Sequence, residues 1–314
     1  MTEIILSVIG GLVLFLFAVF SLSDAILSVV GDNVKKWIAR FTSNIFSGII
    51  TGTVITAIVD SSSAVIIITI ILVNSKALTF KQAMGIVMGA NIGTTISSQI
   101  IAMDVSKYSP VLLLIGFLLL FISKSVRLNS VGKVILYFGV LFFGLFTMEK
   151  AVEPLREEAY FAEWLKSVES PVFGALMGAL ITLVVQSSSA TMGMAIILAK
   201  KGLLSLSGGI AIMLGAELGT CSDTLLATIN GSRQALKTGL FHLLFNILSI
   251  ILGLLLFYPF TELVEKTGSG EHVEHLVANA HMMFNIGGVL LFVWFVPLFE
   301  KLLNKMLPEK KVAQ

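Results

Sequence analysis

Apolar runs of roughly 20 residues recur along almost the whole of this 314-residue chain. A bilayer core of about 30 Å takes about 20 helical residues to cross, so the lipid interior is the solvent such runs require. Only 13% of the residues are charged and 56% are hydrophobic, and mean hydropathy is +0.97, whereas soluble domains carry about 25% charge. A soluble globular fold is excluded. A β-barrel is excluded too, because its strands alternate strictly and Val111 to Ile122 is apolar at every position. The chain reads as an all-α polytopic membrane protein.

The expected crossings are 4–22, 83–103, 109–123, 134–148, 208–229, 238–258 and 281–300. These seven put the termini on opposite faces. Two more apolar stretches, 46–74 and 172–199, are too long for single spans, since a straight helix of about 28 residues would overshoot the core by about 10 Å or more. Each is broken at its middle by a polar cluster, Asp60-Ser61-Ser62-Ser63 or Gln186-Ser187-Ser188-Ser189. Both read as re-entrant hairpins, half-helices that reach just past the midplane, turn at the serines and return.

A shift of 126 residues aligns 46–95 with 172–221 without a gap and matches 18 of 50 positions. Apolar composition alone would pair Ile with Leu, not Ser61/Ser187, Ser62/Ser188, Ser63/Ser189, Gly89/Gly215, Gly93/Gly219 and Thr94/Thr220. Three crossings separate the hairpins, so the second copy is expected upside down, as inverted-topology repeats. The organisation is one transmembrane domain, 1–314. Repeat 1 spans about 46–103 and repeat 2 about 172–229, with scaffold helices 4–22, 109–148 and 238–300.

Loop charge gives the orientation, because Lys and Arg concentrate on the cytoplasmic side. With the N-terminus outside, 14 of 21 basic residues fall in inner segments, among them Lys35, Lys36, Arg40, Lys76, Lys81, Lys124, Arg127, Lys133, Arg233, Lys310 and Lys311. The outer side holds the acidic stretch Glu149 to Glu169. The expected location is the cell (inner) membrane, with the C-terminus cytoplasmic. Met1 to Ile9 has no Lys or Arg, so the basic region of a cleavable signal is missing and the first helix is expected to stay. A net charge of +2 without a basic tract argues against nucleic acid as a partner. A single cysteine, Cys221, excludes an intramolecular disulfide.

Carboxylates inside apolar segments are costly, about 2.5–3.5 kcal/mol each at the bilayer centre, and are usually functional or paired. Four occur: Asp24, Asp60, Glu217 and Asp223. Asp24, at the end of the first expected helix, is assigned to the membrane interface. The others have no Lys or Arg within their segments, so they must bind a cation, share a proton or face water. At each hairpin tip the serines can cap the returning half-helix, and beside its orphan N–H groups they form a donor cluster at the positive end of a dipole, an anion site. Ser61, Ser62, Ser63, Ser187, Ser188 and Ser189 are the candidate substrate ligands. Helix-end carbonyls with Asp60 or Gln186 offer hard oxygens suited to sodium.

The repeated segments Gly89-Ala90-Asn91-Ile92-Gly93-Thr94-Thr95 and Gly215-Ala216-Glu217-Leu218-Gly219-Thr220-Cys221 carry glycines four apart, which permit close helix contact. Their polar residues favour an unwound or closely packed point facing the tips. Asn91 and Thr94 join the substrate set on that basis, and Thr95, Glu217, Thr220 and Asp223 the cation set. His242 with Asn246, and His281 with Asn285, lie at i and i+4 on one helix face, as interhelical hydrogen-bonding pairs. No Cys or second His completes a transition-metal site there.

Together these elements resemble the type II sodium/phosphate cotransporter family, in particular its short bacterial members. The resemblance runs from Gly10-Gly11 through both hairpins to Ala280-His281-Met-Met-Phe-Asn285. It implies sodium-driven uptake of inorganic phosphate, with both ions held between the hairpins and no cofactor besides sodium. Gln186 to Ser189 match the family's paired Gln-Ser-Ser-Ser signature, whereas the first copy has Asp60 in place of glutamine. Glu217 stands where the motif usually has Asn, and Cys221 where it often has Thr. These departures leave sodium or proton coupling open, as are export, another small oxyanion, and a homodimeric or other assembly. An intramembrane serine hydrolase would need one activated serine with one base, and two equivalent triplets with distant histidines argue against it. A passive channel fits less well than an occluded site, because the hairpins break at midplane.

Overall fold

The computed structural model describes residues 2–103, 105–122, 125–154, 159–229 and 231–308. Lys124, Lys310 and Lys311, and Glu157 and Glu158 in the acidic stretch, lie outside the described residues. Among those described the chain is helical, with no strand. The first half contains α1 (Thr2–Phe41), α2 (Ile45–Val59), α3 (Ser62–Asn74), α4 (Phe80–Ala102), α5 (Ser109–Ile122) and α6 (Val126–Val152). The second contains α7 (Ala159–Val168), α8 (Pro171–Val185), α9 (Ser188–Lys200), α10 (Leu206–Gly219), α11 (Cys221–Leu226) and α12 (Arg233–Leu255). It ends with α13 (Phe257–Thr267), α14 (Val273–Phe292) and α15 (Val296–Met306).

Glycine spacing fixes how the hairpins sit. On α2 and α4 the contacts advance in step: Gly48 lies on Gln82 and Gly85, Gly52 on Ile86, and Gly93 on Thr53 and Thr56. The two helices therefore run parallel. A β-carbon at Gly89 would stand 2.0 Å from the Ile49 carbonyl oxygen, so only glycine lets the backbones meet. Residues 75–79 alone join the end of α3 to the start of α4, and α3 must return alongside α2 to make that junction. The second copy repeats the arrangement. Gly178 rests on Ile212, Gly219 on Thr182, and a β-carbon at Gly215 would fall 1.7 Å from the Ala175 carbonyl oxygen. Both interrupted stretches are hairpins.

The long α1 shows that they enter from opposite ends. Near its start Gly11 packs on Gly144 and Met148 of α6, and the neighbouring Glu149 holds Lys200 and Lys201 at 2.9 and 3.1 Å, at the base of the α8–α9 hairpin. At its other end α1 leads directly into α2, where Gln82 Nε2 donates to the Thr42 carbonyl at 2.5 Å. One hairpin base lies at each end of α1, and the tips meet between them. That is the inverted arrangement the sequence predicts.

Among the described residues five helical runs are long and apolar enough to cross a membrane, namely Leu6–Gly31, Val126–Val152, Leu206–Leu226, Arg233–Leu255 and Val273–Met306. The other two expected crossings, 83–103 and 109–123, become one pair bent by 72°. Helix ends differ as well. The first helix does not stop at residue 22 but continues to Phe41, because nothing between Ser23 and Phe41 breaks it: the stretch has neither proline nor any glycine besides Gly31. Of the unwound or closely packed point expected near Gly89–Thr95, close packing is what occurs: α4 is continuous there, and Gly89 and Gly93 lie against the backbone of α2. Its counterpart is only nicked, with Thr220 standing between α10 and α11.

Candidate functional site

The two hairpin tips and the middle of α1 enclose a cavity of about 250 Å³. Its polar lining is Ser23 and Asp24 from α1, Asp60 to Ser63 from one tip, Gln186 to Ser189 from the other, and Thr220. Among the described residues no Lys, Arg or His lines it. The tips are built alike. Asp60 and Gln186 end α2 and α8 in the left-handed region, each with φ 57°, a conformation that costs a residue with a β-carbon about 1–2 kcal/mol. Ser61 and Ser187 then turn extended and cap the returning helices, accepting from the amides of Ala64 and Ala190 at 3.2 Å. This leaves the first-turn amides of α3 and α9, at Ser62–Ser63 and Ser188–Ser189, without intrahelical acceptors. Two positive helix ends and their hydroxyls thus converge on one small volume, which suits an anion.

Carboxylates flank this donor cluster through an exchange between the repeats. Asp60 at the first tip accepts a hydrogen bond from Ser97 Oγ of α4. At the shift of 126 residues Asp60 matches Gln186, and Ser97 matches Asp223. The second repeat therefore carries its acid on the core helix instead of the hairpin. Asp223 accepts from Ser63 Oγ of the opposite hairpin at 3.3 Å, and from Ser222 Oγ at 3.3 Å. Ser189, the counterpart of Ser63, lines a smaller cavity of about 80 Å³ with Asp60 and Ser97. Each repeat thus contributes one carboxylate beside a serine of the other.

Of the residues expected to face the tips, Thr220 lines the cavity and Asp223 reaches Ser63, whereas Asn91, Thr94, Thr95 and Glu217 do not line it. Thr94 and Thr95 bond back to the carbonyls of Ala90 and Ile92 within α4. Asn91 and Glu217 belong to a separate buried network. Glu217 Oε1 receives His281 Nε2 at 2.8 Å and Asn285 Nδ2 at 3.0 Å, and His281 Nδ1 meets Ser98 Oγ at 2.8 Å. Across the pseudo-twofold, Asn91 Nδ2 donates to Asn246 Oδ1 at 2.6 Å, and His242 bonds Thr224 and Asn246 at 2.8 and 3.1 Å. The His-x-x-x-Asn pairs are the interhelical pins expected of them, joining α12 and α14 to the repeat cores.

Asp24 is a correction. It does not sit at the end of the first helix but inside α1, lining the cavity beside Ser23. A signal was available: the apolar run resumes after it at Ala25 to Val30, so Asp24 lies within a continuous hydrophobic helix. Ser97 was also missed, because nothing local marks a serine on a glycine-packed helix until its register with Asp223 is read.

The chain matches the family model described as Na+/Pi-cotransporter twice, over residues 14–150 and 152–286. "Uncharacterized protein YqeW" of Bacillus subtilis is 28% identical over 310 residues, covering 98% of this chain and 99% of that protein. "Putative inorganic phosphate export protein YjbB" of Salmonella typhimurium is 24% identical over 98% of this chain, which spans 56% of its length. "Sodium-dependent phosphate transport protein 2A" of Ovis aries is 32% identical over 127 residues, 38% of this chain and 18% of that protein. No solved structure matches the chain.

Proposed function

This chain belongs to the Na+/Pi-cotransporter family, and from that premise we propose that it is a secondary transporter carrying inorganic phosphate with sodium across the cell membrane. The observation that carries the reading is the cavity in which two capped serine triplets face each other. Phosphate is held by the first-turn amides and by Ser61 to Ser63 and Ser187 to Ser189, whose donors replace the water the anion leaves behind. Sodium lies at the margins, where Asp60, Gln186, Thr220 and Asp223 present oxygens. His242 and His281 are engaged with Thr224, Asn246, Ser98 and Glu217 rather than with the serine triplets, which supports transport over hydrolysis. The bias of 14 of 21 basic residues supports an outer N-terminus and a cytoplasmic C-terminus.

Uptake of labelled phosphate by vesicles containing the purified chain tests the reading. A sodium gradient is expected to drive accumulation, and Ser62→Ala or Ser188→Ala to lower it at least tenfold, as loss of a buried hydrogen bond to a charged ligand costs about 1.5–3 kcal/mol. Wild-type uptake by both variants would remove the serines from the site. Accumulation driven by a pH gradient alone would replace sodium with protons. A second direction is favoured by the relative named for phosphate export. Vesicles loaded with phosphate and facing an outward sodium gradient measure that flux in the same preparation.

A further inference from the structure

Among the described residues four carboxylates lie within or beside the apolar segments of the hairpins and their core helices, and three of them already accept hydrogen bonds from the protein. Asp60 accepts from Ser97, Asp223 from Ser63 and Ser222, and Glu217 from His281 and Asn285. Asp24 is exposed to the cavity and makes no hydrogen bond or ion pair to another described residue. It stands on α1, outside both hairpins, and the position 126 residues further on is Lys150: the tips offer the same donors twice, and α1 adds a carboxylate that this register does not repeat. An ionised carboxylate can only accept. An oxyanion held by the donor cluster shares its cavity with this acceptor.

We infer that Asp24 is a specificity-determining residue, accepting a hydrogen bond from a P–OH of the bound anion and so selecting protonated oxyanions. The inference rests on the phosphate reading above. Inorganic phosphate and arsenate keep at least one hydroxyl at neutral pH. Sulfate keeps none, and it sets a bare anionic oxygen against the Asp24 carboxylate, two acceptors with no proton between them. A site built to hydrogen-bond a substrate hydroxyl rejects the analogue lacking it by factors of about 10⁴ when fully enclosed. A single hydroxyl among many donor contacts accounts for a smaller part of that factor.

Monofluorophosphate isolates the effect, because it keeps the size and charge of the phosphate dianion while fluorine replaces the hydroxyl. Binding of labelled phosphate to the purified full chain, at fixed sodium, is competed with arsenate, sulfate and monofluorophosphate. Arsenate is expected to compete within a few-fold of phosphate, and the other two at least tenfold more weakly. Asp24→Asn puts an N–H where the acceptor was, and the phosphate-to-sulfate ratio is expected to fall at least tenfold. Asp24→Glu, which keeps the acceptor, is expected to hold it. Wild-type binding of monofluorophosphate as tight as phosphate overturns the inference without any variant. So does an Asp24→Asn protein that keeps the wild-type ratio, including one whose only change is in sodium activation. A wild-type chain that binds no phosphate would instead remove the transport reading, and this one with it.

Discussion

Asn91 and Glu217 show how one step along a helix redirects chemistry. Each stands two residues after a glycine, Gly89 or Gly215, and two residues turn a helix by about 200°. Once the glycine faces its hairpin, the polar residue must face the other way, toward α12 or α14. Glu217 is 5% exposed and His281 1%, and removing one member of a buried, hydrogen-bonded pair leaves the other unsatisfied at about 3–5 kcal/mol. Glu217→Leu is accordingly expected to lower the thermal midpoint of the purified protein by several degrees. An unchanged midpoint in a detergent melting scan would show that the pair contributes nothing to stability. The serine triplets were legible in sequence because a cap needs a hydroxyl at a helix break, and a repeated break is conspicuous. The orientation of Asn91, Thr94, Thr95 and Glu217 was not, because residue type gives polarity but only packing phase gives direction.

The hairpins owe their place to the helices beside them. Gly89 and Gly215 admit no β-carbon, with carbonyl oxygens 2.0 and 1.7 Å from where it would stand, whereas Gly287 on α14 has nothing within 4 Å. Gly215→Ala must push α8 off α10 and is expected to cost more than the 1–3 kcal/mol or so of ordinary overpacking. Gly287→Ala is expected to stabilise α14 slightly, by up to about 1 kcal/mol of helix propensity. Yield of folded protein and its melting midpoint distinguish the pair, and equal behaviour of the two variants would contradict the tight register described. Hairpin existence was readable from length alone, since neither apolar stretch can span as a rod. The continuation of α1 to Phe41 was less so, because the exposed Asn33, Lys35, Lys36 and Arg40 resemble a loop, and only the packing of Val34 and Ile38, both buried, shows a helix face there. The 72° bend between α4 and α5 likewise depends on packing against α6.

At the scale of the molecule, two copies of one motif enclose a space that neither could form alone. Asp24 and Asp60 line it with no Lys, Arg or His among the described residues, so an anion bound there meets like charge, and a pair of like charges at a separation of about 5 Å and an effective dielectric near 20 repels by about 3 kcal/mol. That is over a hundredfold in affinity. Phosphate is therefore expected to bind only after a cation, and titration calorimetry in sodium against an inert large cation measures the order. Equal affinity in both would exclude it. The internal repeat made this architecture legible, since an odd number of crossings between copies inverts the second. The exchange of acid between hairpin and core helix was hidden, as it appears only when Asp60 is seen beside Ser97 and Asp223 beside Ser63.

The two hairpin bases are also fastened by different means. At one end Lys200 and Lys201 grip Glu149 through ion pairs, while at the other Gln82 holds the Thr42 carbonyl and Asn74 holds the Ser232 amide through neutral bonds. Mobile electrolyte screens the first kind of fastening over a length of about 8 Å at physiological strength and hardly touches the second. Brine would slacken one latch of the molecule and leave its opposite number shut.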